Sequence, residues 1–483
     1  MAIFKLQRSV LSVALVFYSG GVFAENQSDL VDNADVRCAD AASQHMAECH
    51  LKPIVMVANP AAKQAYLIKV DPKQPIQPVP ASDGADFLKH VSGFSAIRSG
   101  GTNGDPVFRG MYGSRLKILN NGSEMLGACP ARMDAPTSYI SPVNFDEIRI
   151  VKGPQTVLWG AASAATVNFE RKPQHLDQPD LKGDASVTSA SNHRVDTNID
   201  TTAGNQLGYV RVTGNTSESD DYKDGNGDKV PSKWRKWNAD VALGWTPTED
   251  TWLELSAGKG DGESRYAGRD MDGSQFLRES VGLRFEQKNI TEVFKKLEGQ
   301  INYNNADHVM DNYTLRTPEA MNMGGHGEHE HTEMPEGMMN SAMDAGMDMG
   351  GDMDMGGGMG MSDPAMAMEL ARKTISARTA ATFGWADYQL IIGADINQNS
   401  HKGRMGGRDY KKEAWETDAE FQQIGLFTES TWKVNGSHKI VSGLRIDQTK
   451  VEDKRPIRCR LMKPARKPCP VVSCAWKANW LIA

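Results

Sequence analysis

The 483 residues predict a transmembrane antiparallel β-barrel. Two observations carry that expectation: a series of short segments in which apolar and polar residues alternate with period two, and connections between them that are alternately short and long. The clearest segment interleaves Trp237, Ala239, Val241, Leu243 and Trp245 with Asn238, Asp240, Ala242 and Gly244, which puts an apolar stripe with a tryptophan at each end on one face. The pattern recurs at 251–258, 281–285, 297–303, 388–396 and 439–447, and roughly eleven strands are counted in all. Short connections at 246–250, 287–291, 386–387 and 433–437 are separated by long polar ones at 218–233, 259–275, 317–373 and 400–422. That is the parity of periplasmic turns and extracellular loops in a bacterial outer-membrane barrel. Alternation alone also describes a half-buried soluble sheet. The tryptophan caps and the loop parity favour the barrel.

Residues 1–24 read as a signal peptide: Lys5 and Arg8 precede an apolar core from Val10 to Phe17, and Val22-Phe23-Ala24 forms a small-x-small cleavage site. The chain is therefore expected to be exported, with the outer membrane of a Gram-negative cell as its place and outer-membrane lipid around it. A formal net charge of -7 argues against a nucleic-acid partner and suits a surface that attracts cations. No Ser/His/Asp ordering, H-E-x-x-H or motif-placed carboxylate pair points to an enzyme, so no enzymatic cofactor is expected.

Ahead of the strands lies a Gly-rich compact region. Phe108-Arg109-Gly110, then Leu116 to Gly122, Phe145-Asp146-Glu147-Ile148, Val151-Lys152-Gly153-Pro154 and Leu158-Trp159-Gly160 follow in an order that resembles the plug domain of TonB-dependent receptors. Lys152 stands where the family usually has arginine and Trp159 where it usually has tyrosine, changes that keep the charge and the ring. Upstream, Ile54, Val55, Met56 and Val57 resemble a TonB box, an extended segment that adds as a strand to the energy-transducing partner. The resemblance implies a barrel of about 22 strands, too wide for side chains to fill, sealed by an α+β plug in the lumen. It also implies the TonB complex of the inner membrane as partner, since the sequence has no P-loop and the work of moving the plug must arrive through a pulled peptide. On this reading 25–60 is a periplasmic segment, 61–178 the plug and 179–453 a partial barrel.

Cargo turns on sulfur and imidazole. Cys129-Pro130-Ala131-Arg132-Met133 is a C-x-x-x-M arrangement, and thiolate with thioether favours Cu(I) over hard ions. The same spacing also fits a buried cysteine with a core methionine four residues on. In the strand from Leu297, odd-numbered residues face lipid and even-numbered ones the lumen, so His308 and Met310 point inward near the outer mouth. With Gly113-Ser114-Arg115 and Asn305-Ala306-Asp307-His308-Val309-Met310, the plug motif is similar to that of the TonB-dependent copper receptors, over most of 53–453. In that family the plug cysteine and methionine and the wall histidine and methionine are the copper ligands. The resemblance therefore implies Cys129, Met133, His308 and Met310 as the metal site, with copper as the transported ligand. A ferric siderophore or other metal chelate, the commoner cargo of the wider family, is the alternative.

The 317–373 stretch holds fourteen of the chain's 24 methionines between Met321 and Met368, together with His326, His329 and His331. Gly/Met/Asp sequence lacks the bulk to form a core and predicts a mobile extracellular loop. It serves as weak, multipoint copper capture, or is an inert expansion rich in methionine. Cys38 and Cys49 lie in the oxidising periplasm and read first as a disulfide, with His45, Met46 and His50 leaving open a periplasmic copper-handling site. After Asp453 the alternation stops and a Pro-, Arg- and Cys-rich tail, 454–483, follows. That change predicts a reading-frame break near Asp453, no role for Cys459, Cys469 and Cys474, and a product with two unpaired sheet edges that does not form a working pore.

Overall fold

The computed structural model describes residues 66–318, 365–435 and 438–455, except 75 and 78. The signal peptide, the Ile54–Val57 segment, Cys38 and Cys49, the three loop histidines and the tail from 456 lie outside these residues.

The N-terminal unit is α+β. A mixed five-stranded sheet is ordered β1-β6-β7-β4-β5, from β1 (Leu67–Val70), β4 (Leu116–Asn120), β5 (Ser123–Glu124), β6 (Glu147–Lys152) and β7 (Ala165–Glu170). A hairpin of β2 (Phe94–Arg98) and β3 (Gly104–Phe108) and one helix, α1 (Gly84–Leu88), complete it. Ile148, Ile150, Val167 and Phe169 alternate onto the inner face of β6 and β7 with Leu88 and Ile118, and all are buried. Gly110 and Gly160 of the sequence motifs have φ of 79° and 86°, where a side chain would be strained, so each turn needs its glycine.

The second unit is one antiparallel sheet of eleven strands: β8 (Asp180–Ala190), β9 (Arg194–Asn205), β10 (Gly208–Ser219), β13 (Trp234–Thr248), β14 (Thr251–Ser264), β15 (Asp272–Lys288), β16 (Phe294–Asp311), β17 (Ala367–Gly384), β18 (Tyr388–Gly406), β19 (Glu416–Lys433) and β20 (Lys439–Asp453). Strands pair in sequence order, and β8 and β20 are its edges. The two-residue strands β11 (Tyr222–Lys223) and β12 (Lys229–Val230) form a separate hairpin in the connection between β10 and β13. No helix among the described residues is long and apolar enough to cross a membrane, as expected of a chain that crosses with strands.

Strand alternation decides which face meets what. Trp237, Val241, Leu243 and Trp245 are exposed on the outer face, while Lys236, Asn238, Asp240 and Ala242 are buried against the plug. Direct register partners carry the line of Trp245 across the outer face through Leu253, Phe285, Gly299, Thr379, Ala394, Leu426 and Ile446. The exposed Trp432 of β19 lies further along, toward the short turn between β19 and β20.

Loop parity holds from β10 to β20, whereas the β8–β9 connection, 191–193, is short where alternation calls for a long loop; the strands also run further than their apolar stripes. The expected 317–373 loop ends earlier, because β17 begins at Ala367; the expected 400–422 loop shrinks to 407–415. Polar residues join these ladders because backbone pairing needs no apolar side chain once a strand has left the apolar band.

The plug meets the concave face of this sheet through one buried apolar cluster and through charge. Asp146 receives both η nitrogens of Arg211 at 2.6 and 2.8 Å, Arg211 also binds Asp200, and Lys73 reaches Asp200 at 2.7 Å and Asp146 at 3.4 Å. Arg171 and Arg278 share Asp240 at 3.1 and 3.0 Å, and Thr156 donates to Glu429 at 2.8 Å.

Candidate metal centre

The loop from Gly127 to Met133 is folded back on itself. Pro130 occupies the second position of a turn closed by Arg132 N–H donating to the Cys129 carbonyl at 2.9 Å. Arg132 then takes φ of 55°, and its guanidinium grips Asp105 with two bonds at 2.5 and 2.7 Å, which anchors the reversal. The fully buried Asp134 carboxylate collects the Ala128 and Cys129 amides at 2.6 and 2.8 Å and the Tyr139 hydroxyl at 2.7 Å. A side chain at Gly127 would meet the Asp134 carbonyl at 2.1 Å, so glycine is required for that approach. Arg372 of β17 and His401 of β18 donate to the Gly127 and Ala128 carbonyls at 3.2 and 2.5 Å, fastening the loop to the wall.

This loop delivers Cys129 Sγ to 4.0 Å from Met310 Sδ on β16. Cys129, Met133 and Met310 are each under 8% exposed and belong to one core cluster that spans plug and wall. His308, two residues before Met310 and therefore on the same face of β16, is fully buried. Its ring packs on its register partner Phe276 with centroids 4.6 Å apart, and Phe276 is part of the same cluster. Its Nδ1 lies 2.9 Å from the Gln275 carbonyl, which accepts its hydrogen and leaves Nε2 with the lone pair. That Nε2 is buried with no hydrogen-bond partner. An imidazole fixed through one nitrogen by a backbone carbonyl, with the other nitrogen bare, can serve as a metal ligand.

Burial, and then the negative charge of Asp134, push the Cys129 thiol up to about 11, while backbone N–H groups of Met133 and Ala131 aim at the sulfur and favour the thiolate. Among the described residues no group of three or more His, Cys, Asp or Glu side chains is placed to hold a metal. Any metal here must therefore lean on thioethers. More of them stand nearby: Met310, Met368 and Met405 are direct register partners on β16, β17 and β18, all of lumen parity, and exposure rises from 5% at Met310 to 49% at Met405.

Of the residues singled out in the sequence, the structure brings Cys129 to Met310 and places Met133 and His308 in and beside the same core cluster. Asp134, Tyr139 and Phe276 escaped sequence reading, since nothing local marks a residue whose role is to hold another. Met368 was hidden by the loop assignment, which denied it a strand parity.

A concave eleven-stranded wall with an outer apolar face, holding a folded domain through ionic contacts, defines an outer-membrane receptor of the plugged-barrel class. Residues 61–167 match the TonB-dependent Receptor Plug Domain and 181–459 match the TonB dependent receptor-like beta-barrel, so the chain belongs to the TonB-dependent receptor family, whose barrels reside in the outer membrane of Gram-negative bacteria. Among solved structures it is similar to the copper transporter OprC, at 49% identity and a TM-score of 0.71 over 81% of this chain and 56% of that one. The siderophore receptor PirA from Acinetobacter baumannii (14% identity, TM-score 0.53, 80% of this chain and 57% of that one) shares the fold alone. So does the FrpB iron transporter from Neisseria meningitidis, F3-3 variant (13% identity, TM-score 0.58, 81% of this chain and 60% of that one). The chain thus spans little more than half the length of these structures. No curated protein sequence matches it.

Proposed function

We propose that this chain carries the copper-holding part of an outer-membrane importer, with Cu(I) bound by Cys129, Met133, His308 and Met310 and freed when TonB pulls the plug. The observation that carries this reading is the 4.0 Å approach of the plug sulfur of Cys129 to the wall sulfur of Met310, beside an imidazole whose Nε2 has no other partner. Two soft sulfur types with one imidazole suit Cu(I) and disfavour hard cations. Because ligands come from both plug and wall, displacing the plug dismantles the site. Binding and release then become two positions of one machine. Cys129, Met133, His308 and Met310 are all under 8% exposed, which leaves no open vestibule at them for an organic chelate and argues against the siderophore alternative; the 49% identity to a copper transporter argues the same way. The Ile54–Val57 segment supplies the handle for TonB, and the methionines and His326, His329 and His331 of the connection between β16 and β17 supply capture of the ion.

Copper content after purification tests the reading. The full chain, loaded anaerobically with Cu(I) and desalted, retains about one copper per chain, and Cys129→Ala retains none. Equal copper on the two would end the proposal.

A further inference from the structure

Lys236 projects from the concave face of β13 into the seam between wall and plug and is 6% exposed. Its ammonium has no hydrogen-bond partner and no ion pair among the described residues. The carboxylates of Asp196, Asp83 and Asp86 are already engaged. Arg194 holds Asp196 at 2.8 Å; Arg98 holds Asp83 and Asp86 at 3.6 and 3.0 Å; Lys89 holds Asp86 at 2.5 Å. Asp261, which lines a second small cavity with Lys236, makes no ion pair with it. A buried ammonium without a counter-charge is costly, and proteins relieve it by supplying an anion or removing the proton.

Lys236 lines a cavity of about 40 Å³, bounded by Ser82 and Ser141 of the plug and by Asn198, Asn215 and Ser217 of the wall. The amide of Asn215 is oriented: its Oδ1 accepts from Ser141 Oγ at 3.0 Å and from Asn238 Nδ2 at 3.3 Å, which leaves Nδ2 as a buried donor with no acceptor. Ser217 accepts from Trp234 Nε1 at 3.0 Å and keeps its own hydrogen to give. The cavity therefore gathers a charge-bearing donor, an amide donor and hydroxyls, and the volume suffices for a small ion with one water beside it. Asn198 Oδ1, a buried acceptor without a donor, is the natural partner of that water. Asp196 also lines the cavity, its charge met by Arg194.

We infer that this cavity is an anion site, which takes a small monovalent inorganic anion of chloride size on Lys236 Nζ and Asn215 Nδ2 in the seam between plug and wall. Both donors belong to the wall and the plug closes the cavity through Ser82 and Ser141, so the anion is enclosed only while the two units are docked and its occupancy stabilises the docked state by mass action.

The full chain in detergent tests this with two measurements. Crystals soaked in bromide show an anomalous peak within hydrogen-bonding reach of Lys236 Nζ. The melting temperature rises by about 3 °C as chloride replaces gluconate at constant ionic strength. Lys236→Met abolishes both. Asn215→Asp, which supplies a built-in carboxylate to the ammonium, also abolishes both without lowering the melting temperature in gluconate, so loss of fold is not mistaken for loss of the site. Water alone in the cavity of the unaltered chain, or melting that is indifferent to chloride, would overturn the inference and mean that Lys236 is held neutral.

Discussion

Asp134 binds the amide of Cys129 at 2.8 Å, and through that bond a carboxylate that is not itself a candidate ligand governs where one of them stands. Replacing it with asparagine removes the charge and one acceptor from a group that serves three donors. Such supporting residues are typically worth 10- to 100-fold in metal affinity, so Asp134→Asn lowers Cu(I) affinity by roughly that factor. Competition against a Cu(I) chelator measures it, with Tyr139→Phe giving a smaller loss because it removes only one of the three donors.

The metal-free thiol of Cys129 is protonated at neutral pH, since burial and then Asp134 carry it to about 11. Alkylation by iodoacetamide is accordingly slow in the folded chain and speeds up about tenfold per pH unit from 7 to 10, because only the thiolate reacts. Mass spectrometry after timed quenching reads the rate; unfolding in urea removes the protection. Cu(I) loading at pH 7 releases one proton per ion, detectable as a buffer-dependent heat of binding.

Acid should loosen the plug through Asp146. Burial works against its ionisation, yet the paired bonds and charge of Arg211 outweigh that and draw the carboxyl from 3.8 down to about 2. A depressed acid contributes stability that is present above its unfolded value and lost as the pH falls toward about 2. The contribution is about 2 kcal/mol. Plug protection from protease, followed from pH 5 to pH 2.5, declines in the unaltered chain. In Asp146→Asn it is lower throughout and nearly flat across that range.

On the outer face, Ile301→Arg puts a charge into the apolar band and costs about 2–4 kcal/mol of folding stability in lipid. Lys373→Glu, one turn of alternation above the band at Ile375, costs little. Urea titration of the chain folded into liposomes separates the two, and equal effects would mean that this face does not meet hydrocarbon.

Strand direction and facing were legible because alternation is a short-range signal: Trp237 to Trp245 and Leu297 to Tyr303 reveal their buried sides within nine residues. Strand ends were not legible, since Ala367 to Lys373 and Ser400 to Gly406 mix apolar and polar side chains without period-two alternation and offer no stripe to read. The Cys129 and Met133 pair could be read from spacing and resemblance. Its support could not, because Arg372, His401 and Phe276 meet the site only after more than a hundred residues of chain have folded around it. Lys236 carries no sequence signal of its own, since its lack of an ion pair among the described residues is visible only in the folded seam.

The register of the tryptophans has a geometric consequence. Trp245 on β13 and Trp432 on β19 both end the apolar stripe at the short-turn side, yet Leu426, not Trp432, is in register with Trp245. The boundary has slipped six residues, from 426 to 432, in the six strand steps from β13 to β19. At about 3.4 Å per residue and about 4.8 Å per strand, that slope means strands leaning about 35° from the membrane normal. The wall is therefore a screw thread with a pitch of one residue per strand. Anything seated against its inner face, the plug included, cannot slide straight down the axis without crossing from one row of side chains to the next.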